Sequence, residues 1–197
     1  MLNSPLLSTV PLDDVGHVIY RTDFPIADLL TTKLETLWAL HPEEFHTLLM
    51  HGKEVKTPRW QQAYGYSYEY TGSRSNALPT HDLLKPFLIW GQQNVDSRLN
   101  GLLLNWYDGA AGHYIGPHRD ARKGLVSGSP IVTISRGEER IFRMRPWQGD
   151  GYKDTLLTDG TALVMPWATN LSWTHEIPKM KKYLGRRISV TLRAFAD

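Results

Sequence analysis

From Gly101 onward the chain reads as short β-prone runs separated by Gly, Pro and Asp, and this pattern leaves few architectures open. The runs are Leu102–Tyr107, His113–Ile115, Pro130–Ser135, Arg140–Arg145, Thr155–Leu157, Ala162–Met165, Ser172–His175 and Arg187–Phe195. Short strands at this spacing need two facing antiparallel sheets, or one closed on itself, to bury their apolar sides. Helical periodicity belongs to the first half. Asp28 can cap a helix whose stripe is Leu29, Leu30, Leu34, Leu37 and Trp38, ended by His41-Pro42. A second helix is expected from about Asp82 to Leu99, with Leu83, Leu84, Phe87, Leu88 and Val95 inward, and a first strand over His17–Tyr20. The expected fold class is α+β: a double-stranded β-helix (jelly-roll) core with N-terminal helices. One domain is expected over residues 1–197, with the core at about 101–195.

The last strand carries the most chemical information. Ile188, Val190 and Leu192 alternate with Arg187, Ser189, Thr191 and Arg193, so one face is apolar and the other is polar and basic. Turned toward a barrel interior, the two arginines would be strongly penalised unless an anion met them. Their separation is about 20 Å at most by strand rise, and less on a concave wall. That suits a dicarboxylate. A solvated edge strand is the plainer alternative. Asn105 and Tyr107, also two apart, can reach the same lumen with an amide and a phenol.

Composition narrows the metal chemistry. The 197 residues include no cysteine, so disulfides, iron–sulfur clusters and thiolate zinc sites are excluded, and a metal must rest on imidazole and carboxylate. Of 8 histidines, two open an H-x-[DE] triplet. His41-Pro42-Glu43 sits at a helix end, where capping suffices. His118-Arg119-Asp120 follows Gly116-Pro117 between predicted strands, and residues two apart in a strand point the same way. With His175 near the end of another apolar strand, the set meets the need of a two-histidine, one-carboxylate site.

Residues 53–76 differ in character. The alternation Tyr64, Tyr66, Tyr68, Tyr70 would place four phenol rings on one face of an extended strand. They could be packing residues, or an exposed lid stacking a flipped base at roughly 1–3 kcal/mol per base. The net charge of +2 is uninformative, but Lys179, Lys181, Lys182, Arg186, Arg187 and Arg193 crowd together without an acid. Arg136, Arg140, Arg143 and Arg145 form a second group, partly offset by Glu138 and Glu139. No apolar run reaches the roughly 20 residues of a membrane span, and Met1 to Asp14 lacks the basic start of a signal peptide. A cytoplasmic monomer, nuclear if eukaryotic, with no membrane partner is the expectation.

Taken in order, Asn105-Trp-Tyr107, His118-Arg-Asp120, His175 and Arg187-Ile-Ser-Val-Thr-Leu-Arg193 resemble the AlkB branch of the iron(II)/2-oxoglutarate dioxygenases. Upstream, Pro58-Arg59-x-Gln61-x-x-Tyr64-Gly65 and Tyr68-x-Tyr70-Thr71-Gly72 resemble the nucleotide-recognition segment of eukaryotic-type DNA dealkylases, and Gly128-Ser129-Pro130-Ile131 also fits. The resemblance covers about Lys53 to Phe195. It implies that His118, Asp120 and His175 ligate Fe(II), and that 2-oxoglutarate and O2 take the open positions. Arg187 would pair with the distal carboxylate, helped by Tyr107 and Thr191, with Asn105 and Arg193 toward the metal. Substrate contacts would come from Tyr64, Tyr68 and Tyr70. The implied reaction is oxidative demethylation of N-alkylated bases in DNA or RNA, with nucleic acid as partner.

Two positions depart from the family pattern. Arg122 stands where an acidic residue commonly contacts the exocyclic edge of the damaged base, and Ser189 stands where Asn is usual in the cosubstrate wall. Two other readings stand beside dealkylation: hydroxylation of a protein side chain or small molecule, and a non-catalytic nucleic-acid-binding module.

Overall fold

Both faces of the final strand are buried. Ile188, Val190 and Leu192 are inaccessible on one side, and Arg187, Ser189, Thr191 and Arg193 are almost so on the other. A strand covered on both faces must lie inside a layered structure, and the computed structural model shows which layers. It describes residues 7–25, 33–50, 52–70 and 73–196.

In chain order the elements begin with β1 (Ser8–Pro11), β2 (Val18–Asp23), α1 (Leu34–Trp38), β3 (Thr47–Met50), β4 (Lys53–Lys56), β5 (Trp60–Tyr64), β6 (Tyr68–Tyr70), β7 (Ser73–Ser75) and β8 (Ala77–Leu78). A 3-10 turn (Asp82–Leu84) leads into α2 (Lys85–Asn94). The second half holds β9 (Gly101–Asp108), β10 (Ile115–His118), β11 (Ile131–Gly137), β12 (Arg140–Pro146), β13 (Lys153–Leu157), β14 (Thr161–Met165), α3 (Trp167–Ser172), β15 (Trp173–Ile177) and β16 (Arg186–Arg193). An eight-stranded sheet runs β1-β2-β14-β11-β16-β9-β5-β8 and faces a four-stranded sheet β10-β15-β12-β13. The architecture is an α+β jelly roll.

Antiparallel register turns sequence alternation into two surfaces. One row across the large sheet reads Gln62, Leu104, Val190, Ile134 and Ala162. Its four apolar members pack with Leu37, Trp38, Leu84 and Phe87 into the outer core, beneath α1 and α2. The next row reads Gln61, Asn105, Ser189 and Ser135, and is polar throughout. Those side chains occupy the space between the sheets. A second apolar cluster, including Phe142, Met144, Leu157, Trp173 and Ile177, closes the sheets around that space.

Several sequence expectations need correction. The first helix is only the five-residue α1; Asp28, Leu29 and Leu30 lie outside the described residues. The second ends at Asn94 instead of Leu99, because Leu99 instead folds into the outer core and Asn100 pairs with Arg193. Helices are not confined to the first half: α3 precedes β15, so the predicted Ser172–His175 strand starts one residue later. The predicted strand His113–Ile115 shifts to Ile115–His118, since Asp108 and His113 close a turn through backbone and ring contacts.

The end of β9 tolerates no side chain at Gly109. A Cβ there would lie 2.5 Å from the Tyr183 carbonyl oxygen and 2.8 Å from the Leu184 carbonyl carbon. Both are backbone atoms, so Gly109→Ala is expected to destabilise the fold by about 1–3 kcal/mol in chemical denaturation.

Candidate active site

Within the space between the sheets, β10 and β15 pair with His118 opposite His175, so the two imidazoles meet with ring centroids 4.2 Å apart. Asp120, two residues past His118 and just beyond the strand, turns its carboxylate to the same point. Its Oδ1 lies 3.9 Å from His118 Nε2 and 3.8 Å from His175 Nε2. The three ligand atoms all fall within 4.8 Å of one another. Such a donor set can take one divalent ion and leave coordination positions open.

Surrounding contacts hold each ligand in a useful state. His118 Nδ1 donates to the Gly116 carbonyl (2.9 Å), which leaves the Nε2 lone pair facing the cluster. Burial lowers the pKa of both histidines, His175 to about 3 with His118 beside it, so both rings are neutral donors. Burial would raise the Asp120 carboxyl, but the Arg193 guanidinium outweighs it and holds it below the usual carboxylate range. Arg193 grips Asp120 Oδ2 through Nε (2.9 Å) and Nη2 (2.7 Å), leaving Oδ1 toward the histidines.

Asn170 from α3 fastens the Asp120 peptide from behind. Its Oδ1 accepts from the Asp120 amide (3.0 Å), and its Nδ2 donates to the Asp120 carbonyl (3.2 Å). Nothing in the sequence announces this partner, which lies fifty residues downstream and arrives only when α3 packs against the loop. Removing such a support typically costs 10–100-fold in metal affinity. Asn170→Ala is therefore expected to weaken Fe(II) binding by about that factor, read by metal titration, while the protein remains folded.

A second feature lies along the same wall. Arg187 is fully buried. Its Nε donates to Ser135 Oγ (2.9 Å), yet Nη1 and Nη2 have no hydrogen-bond partner. Burial lowers its pKa to about 10, with Arg140 adding to the effect and Tyr107 opposing it. A buried guanidinium with two free donors is an anion site, since an unmet buried cation is strongly unfavourable. Ser189, Thr191 and Asn105 line the wall between Arg187 and the triad, with the Ser189 and Thr191 hydroxyls 3.3 Å apart. A dicarboxylate fits this donor set. Of the second basic group, Arg136, Arg140, Arg143 and Arg145 pair with Asp159, Glu138, Asp154 and Glu176, so those charges are spent on the fold.

These residues line one cavity of about 810 Å³, whose exposed lining includes Lys56, Arg119, Arg122 and Trp147. The four-tyrosine face is not formed. Gly65, at φ +81°, ends β5 and breaks the alternation. Tyr64 instead turns into the outer core, away from the cavity, and is corrected as a candidate contact. Tyr66 stacks on Phe195 at 5.4 Å. Tyr68 does reach the cavity, where its ring covers the Arg193 guanidinium (4.5 Å) and its hydroxyl accepts from the Ala121 amide. The Tyr70 side chain lies outside the described residues. Arg59 and Gln61, part of the recognition-segment resemblance but without an individual role there, also enter the cavity. Arg59 donates to Asn105 Oδ1 (2.8 Å) and to Gln61 Oε1 (3.1 Å). Their spacing of two, like that of Asn105 and Tyr107, was a usable signal.

Comparison with known proteins agrees with this arrangement. The family model described as "2OG-Fe(II) oxygenase superfamily" matches residues 33–193. The chain is 31% identical over 153 residues to the DNA oxidative demethylase ALKBH2 of Homo sapiens, covering 72% of this chain and 58% of that one. It is 31% identical over 150 residues to the alpha-ketoglutarate-dependent dioxygenase alkB homolog 3 of Rattus norvegicus, covering 69% and 50%. The chain thus spans roughly half to three-fifths of the length of these curated relatives. Among solved structures, that of OsALKBH1 superposes with a TM-score of 0.60 at 14% identity, covering 89% of this chain and 97% of that one. A 2OG-Fe(II) family oxidoreductase from Burkholderia pseudomallei gives 0.59 at 18% identity, covering 91% and 85%. The protein belongs to the 2OG-Fe(II) oxygenase superfamily, on its AlkB-like branch, whose cofactor set is Fe(II), 2-oxoglutarate and O2. No helix among the described residues is long and apolar enough to cross a membrane.

Proposed function

We propose that this protein is a dioxygenase that removes alkyl groups from ring nitrogens of nucleic-acid bases. The observation that carries the reading is one cavity with two ends. Its buried wall offers the Arg187 donors to a dicarboxylate, and its exposed lining carries the cations Lys56, Arg119 and Arg122. A deep pocket with a basic rim suits a base swung out from a phosphate backbone. The names of the ALKBH2 relatives point the same way.

In this reading His118, Asp120 and His175 hold Fe(II). Arg187, Tyr107 and Thr191 hold the distal carboxylate of 2-oxoglutarate, and Asn105, Ser189 and Arg193 lie toward the metal. Bound there, Fe(II) with 2-oxoglutarate and O2 supplies the oxidant that converts an N–CH3 hydrogen to hydroxyl. The hydroxymethyl group then leaves its nitrogen, so that N-methyl base, 2-oxoglutarate and O2 become free base, formaldehyde, succinate and CO2. Arg193 keeps Asp120 ionised throughout, and Tyr68 shields that pair from solvent. Residues 53–76 act as the recognition extension of a single domain.

The test supplies purified protein with Fe(II), 2-oxoglutarate and a panel of methylated oligonucleotides. Equal amounts of succinate and formaldehyde are expected. Succinate release that no methylated base stimulates would overturn the reading. Hydroxylation of a protein side chain or small molecule, favoured by Arg122 in place of an acid, would instead show succinate release stimulated by a metabolite or peptide mixture.

A further inference from the structure

Resting on the dealkylase reading, the structure assigns a narrower substrate class: we infer that the cavity selects alkylated bases with carbonyl groups beside the alkylated nitrogen. These are N3-alkylated thymine and uracil, in preference to N1-alkylated adenine and N3-alkylated cytosine.

The inference follows from where the acceptors go. An exocyclic amino group must donate to something, and a carboxylate is the strongest acceptor a pocket can offer. Among the described residues two carboxylates border the cavity, Asp120 and Glu176. Asp120 is held by Arg193 and by the metal cluster, and Glu176 is buried with its Oε1 accepting from Arg145 (2.8 Å), so its charge is already countered. The side-chain amide oxygens are engaged as well. Asn105 Oδ1 and Gln61 Oε1 both accept from Arg59, and Asn170 Oδ1 accepts from the Asp120 amide. Tyr68 Oη accepts from the Ala121 amide. Hydroxyls with acceptor capacity line the wall beside Arg187, in the part assigned to the cosubstrate, and elsewhere are those of Thr57 and Tyr114, which are weaker acceptors than a carboxylate.

Donors, by contrast, are plentiful. Arg59 is buried, lines the cavity and forms no ion pair among the described residues; its contacts are to the neutral amides of Asn105 and Gln61. Its Nε reaches Asn105, which stands opposite Ser189 on the wall that lines the cavity. Arg122 is exposed at the mouth and also has no ion pair among the described residues. Guanidinium groups donate and never accept, so they match carbonyl oxygens and mismatch amino groups.

Charge gives a second reason. Alkylation at N1 of adenine or N3 of cytosine makes the base a cation, whereas N3-alkylated thymine and uracil stay neutral. Two arginines without carboxylate partners repel a cationic base, and like charges brought together in a desolvated site discriminate strongly.

The experiment compares 3-methylthymine, 3-methyluracil, 1-methyladenine and 3-methylcytosine in one oligonucleotide sequence. Formaldehyde release is measured with the loaded enzyme, and binding by fluorescence anisotropy with metal-free protein. The expected result is a preference of about tenfold or more for the carbonyl-flanked bases in both measurements. Arg122→Glu, an exposed substitution, should shrink or reverse it by giving the amino group an acceptor. Equal or faster removal from adenine and cytosine, with Arg122→Glu unchanged, would overturn the selectivity and leave dealkylation standing. No removal from any of the four, with 2-oxoglutarate turnover intact, would overturn dealkylation and the selectivity with it.

Discussion

Asp120→Ala is expected to abolish 2-oxoglutarate turnover and to destabilise the protein by about 3–5 kcal/mol. Two losses coincide in one side chain. Its Oδ1 is one of the three donors grouped within 4.8 Å, and two neutral imidazoles alone cannot anchor the ion facially. Its Oδ2 is gripped twice by Arg193, so deletion leaves that buried guanidinium without its counter-charge. Asp120→Asn separates the effects. It keeps the shape and part of the hydrogen bonding, so stability should fall less while succinate release and Fe(II) binding are still lost. Unchanged succinate formation in either variant would remove Asp120 from the metal site.

Arg187→Met should show opposite signs in stability and activity. Without a bound anion, the buried guanidinium has two unmet donors and a pKa pulled down to about 10 by burial. An apolar side chain of similar length removes that desolvation cost, so the ligand-free variant should melt at the same temperature as the parent or higher. The parent, however, should be stabilised by added 2-oxoglutarate through mass action, and the variant should not. Losing a charge-assisted pair worth roughly 1.5–3 kcal/mol per hydrogen bond raises the KM for 2-oxoglutarate by about two orders of magnitude. Thermal scans with and without 2-oxoglutarate check both signs. Equal stabilisation of parent and variant would place the cosubstrate elsewhere.

The legible parts of this molecule were those written in alternation. The β16 pattern announced two faces, one apolar and one polar, and the fold buries both. His118-x-Asp120 announced a shared direction, and the two side chains do converge with His175. Alternation failed across Tyr64 to Tyr70 because a single glycine at positive φ ends the strand and turns the backbone, and spacing carries no record of such a bend. It also failed at the helix ends, where tertiary contacts of Leu99 and Asn100 outweigh helical preference.

Residue type and order were enough to specify the class of metal donors, the basic strand and the two-layer β core. They act through strand periodicity and ligand chemistry, both local. The fold alone settled which acceptors are already taken. Arg59 meets Asn105 across 46 residues, Asn170 meets Asp120 across 50, and Arg193 meets Asp120 across 73. Hydrogen-bond partners so far apart in the chain are chosen by sheet register and by the packing of α3. The donor-rich character of the cavity is therefore a property of the assembled sheets.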